Sequence, residues 1–507
     1  MTIVTLFIYV GIAALALTLL ISRFKKSEFH FIDSFLQNFA GALFVFSGFV
    51  KAVDPLGTAY KMEQYFTAFE DTCKGSFLKF MAPLFPTLSN YAVSFSVFMI
   101  VLEIVLGIML IIGYRRKLSA WLFFVIMIFF TILTGFTFLT GYVPNDANFF
   151  EFSKWTEYNK NQMRVTDCGC FGDFIKLEPK ISFYKDLFLM VPAIWFLLRW
   201  RKWHQIFSPT VRMAVTVMST LALFLFSFSN FIWNEPVIDF RPFKIGTDIK
   251  AKLEEEQKAQ ADVEILAYRI RNKQDGKELE VPYKDYLDSF KSNSNFKASW
   301  ETLDQIKSEP RIPRTKISDF DLMSLDGQSM TEFVLNESRY NLMILSPKVK
   351  YEASVVNEQR IDTIYVFDTT KVKNARNEDS LVVTRNVQGT DTKDIQRNAY
   401  VWDEQFINAL KNSVLPLVDS VRSENVTASA VFGGLTGESI SDLMRQTGMD
   451  FPCYEADDLL IKTIMRSNPG LLLLKDGKII HKWHYKQLPS VQDLRTKYLN
   501  LLGNKIY

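Results

Sequence analysis

The run from Tyr91 to Gly113 reads YAVSFSVFMIVLEIVLGIMLIIG, and the basic sequence YRRK follows at 114–117. A helix needs about 20 mostly apolar residues to cross a hydrocarbon layer roughly 30 Å thick. This run reaches that length, and Glu103 is its single charged residue. The stretch therefore predicts a membrane helix that ends at a charged boundary.

Similar apolar runs occupy the rest of the first half of the chain. Of the 507 residues, 48% are hydrophobic, but the second half has the charged composition of a soluble protein. Basic residues follow the first run instead of preceding it, and this favours an uncleaved anchor over a signal peptide. The sequence thus predicts a membrane all-α bundle followed by a large soluble domain. The predicted spans are Ile3–Ser22, Phe31–Val50, Tyr91–Gly113, Leu118–Gly141, Phe183–Leu198 and Val211–Trp233.

The orientation follows from the short loops, three of which are basic. With six spans these loops share one side, which the positive-inside rule places in the cytoplasm. We therefore expect a multi-pass protein of the inner (cytoplasmic) membrane, with its N-terminus and C-terminal domain in the periplasm and the lipid bilayer as its surroundings. The net charge of +3 gives no reason to expect nucleic acid. The basic residues are Arg23, Lys25 and Lys26, then Arg115, Arg116 and Lys117, then Arg199, Arg201 and Lys202.

This orientation places all four cysteines on the oxidising side, where disulfides persist. Cys73 lies in the first outer loop, Cys168 and Cys170 lie in the second, and Cys453 lies in the soluble half. Two cysteines separated by one residue would form a strained ring, so they are better suited to thiol exchange. A static disulfide from Cys73 to Cys168 or to Cys170, which would only tie the two loops together, is an equally supported interpretation.

The residues next to Cys168 and Cys170 affect how reactive we expect these two thiols to be. Gly169 and Gly172 let the backbone turn tightly and bring a partner sulfur close. Asp167 and Asp173 would raise a thiol pKa, which argues against a strongly activated thiolate. Cys453 stands alone, and such a cysteine is more often a small buried hydrophobic residue than a nucleophile.

Ionisable residues in or near the spans form a second group of candidates. A carboxylate halfway along a span, as at Glu103, should face the bundle interior with a partner. It would serve as a helix–helix hydrogen bond or as a proton acceptor or cofactor contact. Lys51 and Asp54 are expected at the outer boundary, where snorkelling or a local ion pair explains them.

The sequence GALFVFSGFVKAVDP at 41–55, together with Glu103 and CGCFG at 168–172, resembles the DoxX/MauE-like membrane proteins. The resemblance covers roughly residues 31–200 and implies a redox-associated four-helix core. It links the chain to disulfide formation in a periplasmic enzyme. Under a thiol–disulfide function, Cys168 and Cys170 would exchange with Cys73, and Lys51 and Glu103 are the candidate cofactor contacts. There is a more distant analogy to the vitamin K epoxide reductase bundle, which passes electrons between thiols and a quinone. This analogy implies a quinone as the cofactor. This chain lacks that family's Cys-x-x-Cys.

The soluble half alternates strand and helix patterns, which predicts an α/β layered domain. Expected strands include Tyr340–Leu345, Thr363–Phe367 and Ala428–Phe432, with a terminal hairpin at Asp476-Gly477. Expected helices are Ile249–Asp262, Glu404–Val421, Ser439–Thr447, Asp457–Ser467 and Ser490–Leu501.

This half resembles the thioredoxin superfamily over about 316–504. Asn468-Pro469 matches the family's cis-proline position and implies a groove that accepts an extended peptide. No cysteine follows the strand at Tyr340–Leu345, so the family's dithiol chemistry is not expected here. The expected domains are an N-terminal anchor at 1–30, the four-helix core at 31–200, a sixth span at 201–233, a connector at 234–315 and the thioredoxin-like domain at 316–507.

Two functions fit these observations. One is a thiol–disulfide oxidoreductase that assists disulfide formation or folding of exported proteins. The other is a non-enzymatic accessory subunit of an envelope complex for protein export or assembly. Exported proteins, or other subunits of such a complex, are the expected partners.

Overall fold

The computed structural model describes residues 2–24, 29–165, 168–292, 294–373, 379–423 and 425–499. Among these residues, six helices are long and apolar enough to cross a membrane, and they coincide with the six predicted spans. The protein is therefore a multi-pass membrane protein. The helices of this half are α1 (Ile3–Phe24), α2 (Phe31–Val53), α3 (Pro55–Lys74), α4 (Leu84–Asn90), α5 (Ala92–Ile112), α6 (Arg116–Leu139), α7 (Pro179–Arg199) and α8 (Pro209–Phe228), and all except α3 and α4 are candidate spans.

Close packing of α2 against α5 organises the bundle. A Cβ atom at Gly48 of α2 would lie 2.4 Å from Ile104 Cγ1, and one at Gly107 of α5 would lie 2.7 Å from the carbonyl oxygen of Gly41. Small residues at such positions let two helix backbones approach each other, which is the main source of packing between helices in lipid. The apolar core of the bundle is completed by α1, α6 and α7.

The basic loops meet at one end of this bundle. The Arg116 guanidinium, at the start of α6, donates to the carbonyl oxygen of Arg201 at 2.9 Å. Arg199, at the end of α7, pairs with Asp33 at the start of α2, with 2.7 Å between Nη2 and Oδ2. The cysteine loop between α6 and α7 and the strand-rich second half lie beyond the opposite end.

The second half contains three sheets among the described residues. One sheet lies within the expected connector at 234–315 and has three strands, in the order β2-β1-β3. The elements are α9 (Ile249–Ala261), β1 (Ile265–Asn272), β2 (Glu278–Pro282), α10 (Tyr283–Ser292), α11 (Ser294–Ser299), β3 (Trp300–Lys307), β4 (Met323–Ser324), α12 (Thr331–Leu335), β5 (Tyr340–Ser346), β6 (Tyr351–Lys373), β7 (Asp379–Trp402), α13 (Glu404–Ala409), α14 (Leu415–Val421), β8 (Val426–Gly433), α15 (Gly437–Thr447), β9 (Cys453–Ala456), α16 (Asp458–Ile464), β10 (Gly470–Lys475), β11 (Lys478–His484) and α17 (Val491–Asp493).

The main sheet has the order β11-β10-β5-β8-β9-β4. The pairs β5–β8 and β8–β9 are parallel and the others are antiparallel. Apolar side chains cover both faces, so β10 is a continuous run of buried leucines without alternation. The Asp476-Gly477 turn has positive φ at both residues, as its sequence predicts. The expected helix at Glu404–Val421 is present as α13, a π-helical segment and α14.

Thr363–Phe367 is a strand, as predicted, but it is not the buried strand that was expected. These residues lie within β6, which pairs with β7 in a long two-stranded hairpin instead of joining the main sheet. Most of the hairpin side chains that the structure describes are exposed, and Phe367 is 63% exposed. The β-branched and aromatic residues correctly indicate a strand, but they do not show whether a second layer will bury it.

Candidate functional site

The loop that carries Cys168 and Cys170 turns tightly and is fixed to α2. The backbone N–H of Gly172 donates to the carbonyl oxygen of Gly169 at 3.1 Å, and both glycines have positive φ. The Ser47 hydroxyl of α2 donates to the carbonyl oxygen of Cys170 at 2.9 Å. The glycines therefore have the turning role that their positions predict.

Behind this turn lies a cavity of about 70 Å³, which we call the cysteine cavity. It has room for several water molecules. Cys168 and Cys170 both line it, so the structure brings the two cysteines to one space. Its other walls come from α2, the start of α3, α5, α6 and α7, and they include Phe44, Lys51, Thr58, Lys61, Glu103, Phe130, Thr134, Lys185 and Asp186.

Lys51 and Glu103 form a buried ion pair in this cavity. Lys51 Nζ lies 2.5 Å from Glu103 Oε2, and the two residues are 5% and 3% exposed. Lys51 Nζ also lies 5.1 Å from the centre of the Phe130 ring. Of the two explanations expected for Lys51, snorkelling and a local ion pair, the structure shows the ion pair. The close α2–α5 packing brings the carboxylate within reach, so the ammonium group turns inward to it.

A second pair in the cavity was not predicted. Lys185 Nζ lies 2.8 Å from Asp186 Oδ1, and the Thr134 hydroxyl of α6 donates to Asp186 Oδ2 at 2.9 Å. Lys185 Nζ also lies 5.5 Å from the centre of the Phe171 ring. The signal was present in the sequence, because two adjacent ionisable residues inside a span indicate a functional or paired site.

The electrostatic surroundings of Cys170 come from these two pairs. Burial raises the pKa of the Cys170 thiol, Lys185 and Lys51 act to lower it, and Asp186 and Glu103 oppose them. The Cys170 thiol is therefore protonated near neutral pH. When it loses its proton, the ammonium groups of Lys185 and Lys51 stabilise the thiolate. The sequence assigned the raised pKa to neighbouring aspartates. Asp167 lies outside the described residues, and Asp173 pairs with Lys176 at 3.4 Å.

Cys73 does not join this site, and its predicted disulfide is not formed. Cys73 and Cys170 are both free thiols in the structure. A Cβ atom at Gly169 would lie 3.2 Å from Lys61 Cγ, near the start of α3. Cys73 lies near the end of α3, about 18 Å further along the helix, whereas a disulfide needs Cα atoms within roughly 7 Å. Burial raises the pKa of the Cys73 thiol.

The two halves of the chain are joined by an ion pair that sequence reasoning missed. Arg466 of the strand-rich half contacts Asp54 at the end of α2 through two bonds, 2.8 Å from Nε to Oδ1 and 2.6 Å from Nη2 to Oδ2. Burial acts to raise the pKa of Asp54, but Arg466, Arg241 and the backbone N–H of Gly57 together hold this pKa below its ordinary value. Arg466 Nη2 also lies 3.8 Å from Asp173 Oδ2 of the cysteine loop. The strand-rich half therefore sits directly over the cysteine loop.

The predicted groove residues, Asn468 and Pro469, come two and three positions after Arg466 in the chain. The Asn468–Pro469 peptide bond is cis, and Asn468 is exposed while Pro469 is buried. The Asn468 side chain donates to the carbonyl oxygen of Lys348 at 2.5 Å, which ties it to the loop after β5.

Cys453 is buried in the main sheet, and burial raises the pKa of its thiol to about 12. Among the described residues, no group of three or more His, Cys, Asp or Glu side chains could hold a metal ion.

One protein family matches this chain in part. The family described as methylamine utilisation protein MauE matches residues 29–145, which contain α2 to α6 and therefore Lys51 and Glu103. This segment is MauE-like, and the match ends before the cysteine loop and the strand-rich half. The chain matches no curated protein and no solved structure.

Proposed function

We propose that this protein is an inner-membrane thiol–disulfide exchange protein that assists disulfide formation or folding of exported proteins. The observation that carries the proposal is the opening of Cys168 and Cys170 to one cavity that also holds two buried lysine–carboxylate pairs. Similarity to MauE over residues 29–145 supports a redox setting. The basic loops at the opposite end support a periplasmic position for the cysteines.

The chemical step follows from these groups. A thiolate of the pair attacks one sulfur of a substrate disulfide, so a mixed disulfide forms and the original S–S bond breaks. The released substrate sulfur leaves as a thiolate and takes up the proton lost by the attacking thiol. A second substrate thiolate then displaces the cysteine, which rearranges the substrate disulfide without net transfer of electrons. Lys185 and Lys51 stabilise the Cys170 thiolate, and Glu103 and Asp186 keep both ammonium groups in place.

Net oxidation of a substrate dithiol needs a two-electron acceptor, for which we propose a quinone. Phe44 and Phe130 give the cysteine cavity aromatic walls, and Lys51 supplies a donor for a ring oxygen. Because a ring needs more than the present volume of about 70 Å³, a quinone would bind there only after these side chains move apart. A quinone would accept two electrons and two protons in this position.

We further propose that residues 316–507 form a thioredoxin-like domain that binds substrate without its own dithiol. The order of the main sheet, with parallel β5 and β8 beside the antiparallel β10–β11 hairpin, supports this assignment. The Arg466–Asp54 contact places the segment before Pro469 next to the cysteine loop. A peptide bound along this segment would present its sulfur atoms to Cys168.

Trapping of mixed disulfides in intact cells tests the proposal. Cells that carry Cys168→Ser or Cys170→Ser are quenched in acid, their thiols are alkylated, and adducts are separated without reductant. One of the two single variants should accumulate adducts that reductant releases, and the double variant should form none. Cys453→Ser is the matched control and should behave like the wild type. Absence of adducts in every variant would refute the exchange function.

The long hairpin favours a second candidate, an accessory subunit of an envelope complex. Its strands present exposed apolar side chains, among them Val355, Phe367 and Val387, and exposed apolar surface of this kind marks interaction sites. Under this alternative, purification in mild detergent recovers a stoichiometric complex, and the double cysteine variant retains both the complex and the activity of the cell's export system.

A further inference from the structure

A second space lies between the membrane bundle and the strand-rich half, and we call it the basic cleft. Its walls come from the end of α2, from α3, from the cysteine loop, from residues 236–241 and from α16. It shares Thr58, Lys61 and Gly169 with the cysteine cavity. A molecule in the basic cleft would therefore contact the backbone between the two cysteines.

Arg241 is the feature of this cleft that points to a ligand. The residue is 2% exposed. Its Nε lies 2.7 Å from Asp239 Oδ1, and its Nη2 lies 3.0 Å from Glu235 Oε2. Its Nη1 is equally buried and has no hydrogen-bond partner among the described residues. A buried guanidinium N–H without an acceptor is costly, and such groups are nearly always satisfied in native proteins.

The charges around Arg241 define the chemistry of the missing acceptor. The lining residues carry six cationic side chains, which are Lys61, Lys176, Arg241, Lys316, Lys462 and Arg466. Three carboxylates line the cleft, and each contacts at least one of these cations: Asp54 meets Arg466, Asp173 meets Lys176, and Asp239 meets Arg241. Carboxylates just outside the lining also pair with Arg241, Lys316 and Lys462; they are Glu235, Asp319 and Asp458. Cations therefore outnumber carboxylates among the residues that line the cleft, and the donor that has no partner is the Nη1 of Arg241. The guanidinium group of arginine matches the geometry of carboxylate and phosphate oxygens.

We propose that the basic cleft is an oxyanion-binding site in which Arg241 Nη1 donates to a carboxylate or phosphate oxygen. The cleft lies at the end of a membrane helix, so the oxyanion has two sources of the same chemistry. One is a water-soluble carboxylate or phosphate compound, and the other is the headgroup of an anionic phospholipid. The site does not depend on the thiol chemistry, because neither sulfur atom contributes to it.

Binding to the full-length protein in non-ionic detergent tests this proposal. Calorimetry with inorganic phosphate measures the soluble source, and native mass spectrometry after incubation with phosphatidylglycerol or phosphatidylcholine vesicles measures the lipid source. Binding of either phosphate or phosphatidylglycerol supports the site and identifies its source. Binding of neither probe, or equal retention of both lipids without phosphate binding, would overturn it.

Substitutions locate the site. Arg241→Gln removes a charge-assisted donor and should weaken binding about tenfold or more. Because Arg241 is buried in ion pairs, Lys316→Gln provides an exposed second variant, which should weaken binding about threefold in low salt without affecting folding. Arg115→Gln is the matched control in the basic loop at the opposite end of the bundle and should bind like the wild type. Unchanged binding in both cleft variants, or an equal loss in the control, would refute the assignment.

Discussion

Glu103→Gln is the substitution whose effect follows most directly from the structure. It removes the carboxylate that lies 2.5 Å from Lys51 Nζ and leaves a buried ammonium group without its counter-ion. Loss of one partner of a buried pair costs about 3–5 kcal/mol, because the remaining charge stays desolvated. At about 2–4 °C per kcal/mol for a unit the size of this bundle, the thermal midpoint should fall by roughly 6–20 °C.

The matched control removes both charges. Lys51→Met combined with Glu103→Leu replaces the pair by apolar side chains, and such replacements are often neutral or stabilising. The thermal midpoint of the double variant in detergent should therefore return to within about 3 °C of the wild type. A midpoint for Glu103→Gln equal to that of the wild type, or a double variant as unstable as the single one, would refute the buried pair. If the stable double variant also loses thiol exchange, the pair assists the chemistry as well as the fold.

Three further predictions concern packing, domain contact and pH. Gly48→Leu should separate α2 from α5, since even a Cβ atom would lie 2.4 Å from Ile104 Cγ1. We expect the stability measured by thermal unfolding in detergent to fall by at least about 1–3 kcal/mol, as for other overpacked cores. Gly11→Leu is the control, because a Cβ atom there has no neighbour within 4 Å. Arg466→Leu should leave Asp54 unpaired and loosen the strand-rich half from the bundle. Limited proteolysis should then cut the region around residues 234–248 faster than in the wild type. Arg445→Leu, on an exposed helix surface, is the control and should leave the digestion pattern unchanged. Burial acts to raise the pKa of Asp239, but Arg241 and Lys482 lower it from 3.8 to about 2. The ionised carboxylate therefore adds about 2 kcal/mol to the free energy of unfolding above pH 4, and this contribution is lost as the pH falls through 2. Asp239→Asn should flatten the acid limb of a curve of stability against pH, and an unchanged curve would contradict the assignment.

The membrane half could be predicted almost completely from sequence. Hydrocarbon imposes a minimum length and an apolar composition on each span, so the six runs were recognisable without knowledge of their neighbours. The direction in which Lys51 points was not predictable in this way. It depends on how closely α2 and α5 pack, and that distance is set by Gly48 and Gly107 together.

The contacts between the two halves lay beyond sequence reasoning. Arg466 and Asp54 are separated by 412 positions, and neither has a local pattern that indicates its partner. The strands of the main sheet were found because buried runs such as β10 are apolar throughout. The β6–β7 hairpin has similar strand propensity, but most of its described side chains are exposed. This exposure was not predictable from strand propensity.

The reactivity of the four individual cysteines tests the central claim most directly. The purified full-length protein is incubated with oxidised glutathione under native conditions, and peptide mass spectrometry quantifies the mixed disulfide at each cysteine over time. We predict that glutathione attaches to Cys168 or Cys170 well before it reaches Cys73 or Cys453, which lie outside the cysteine cavity. Modification of Cys73 or Cys453 as fast as the pair, or no reaction at Cys168 and Cys170, would contradict the account.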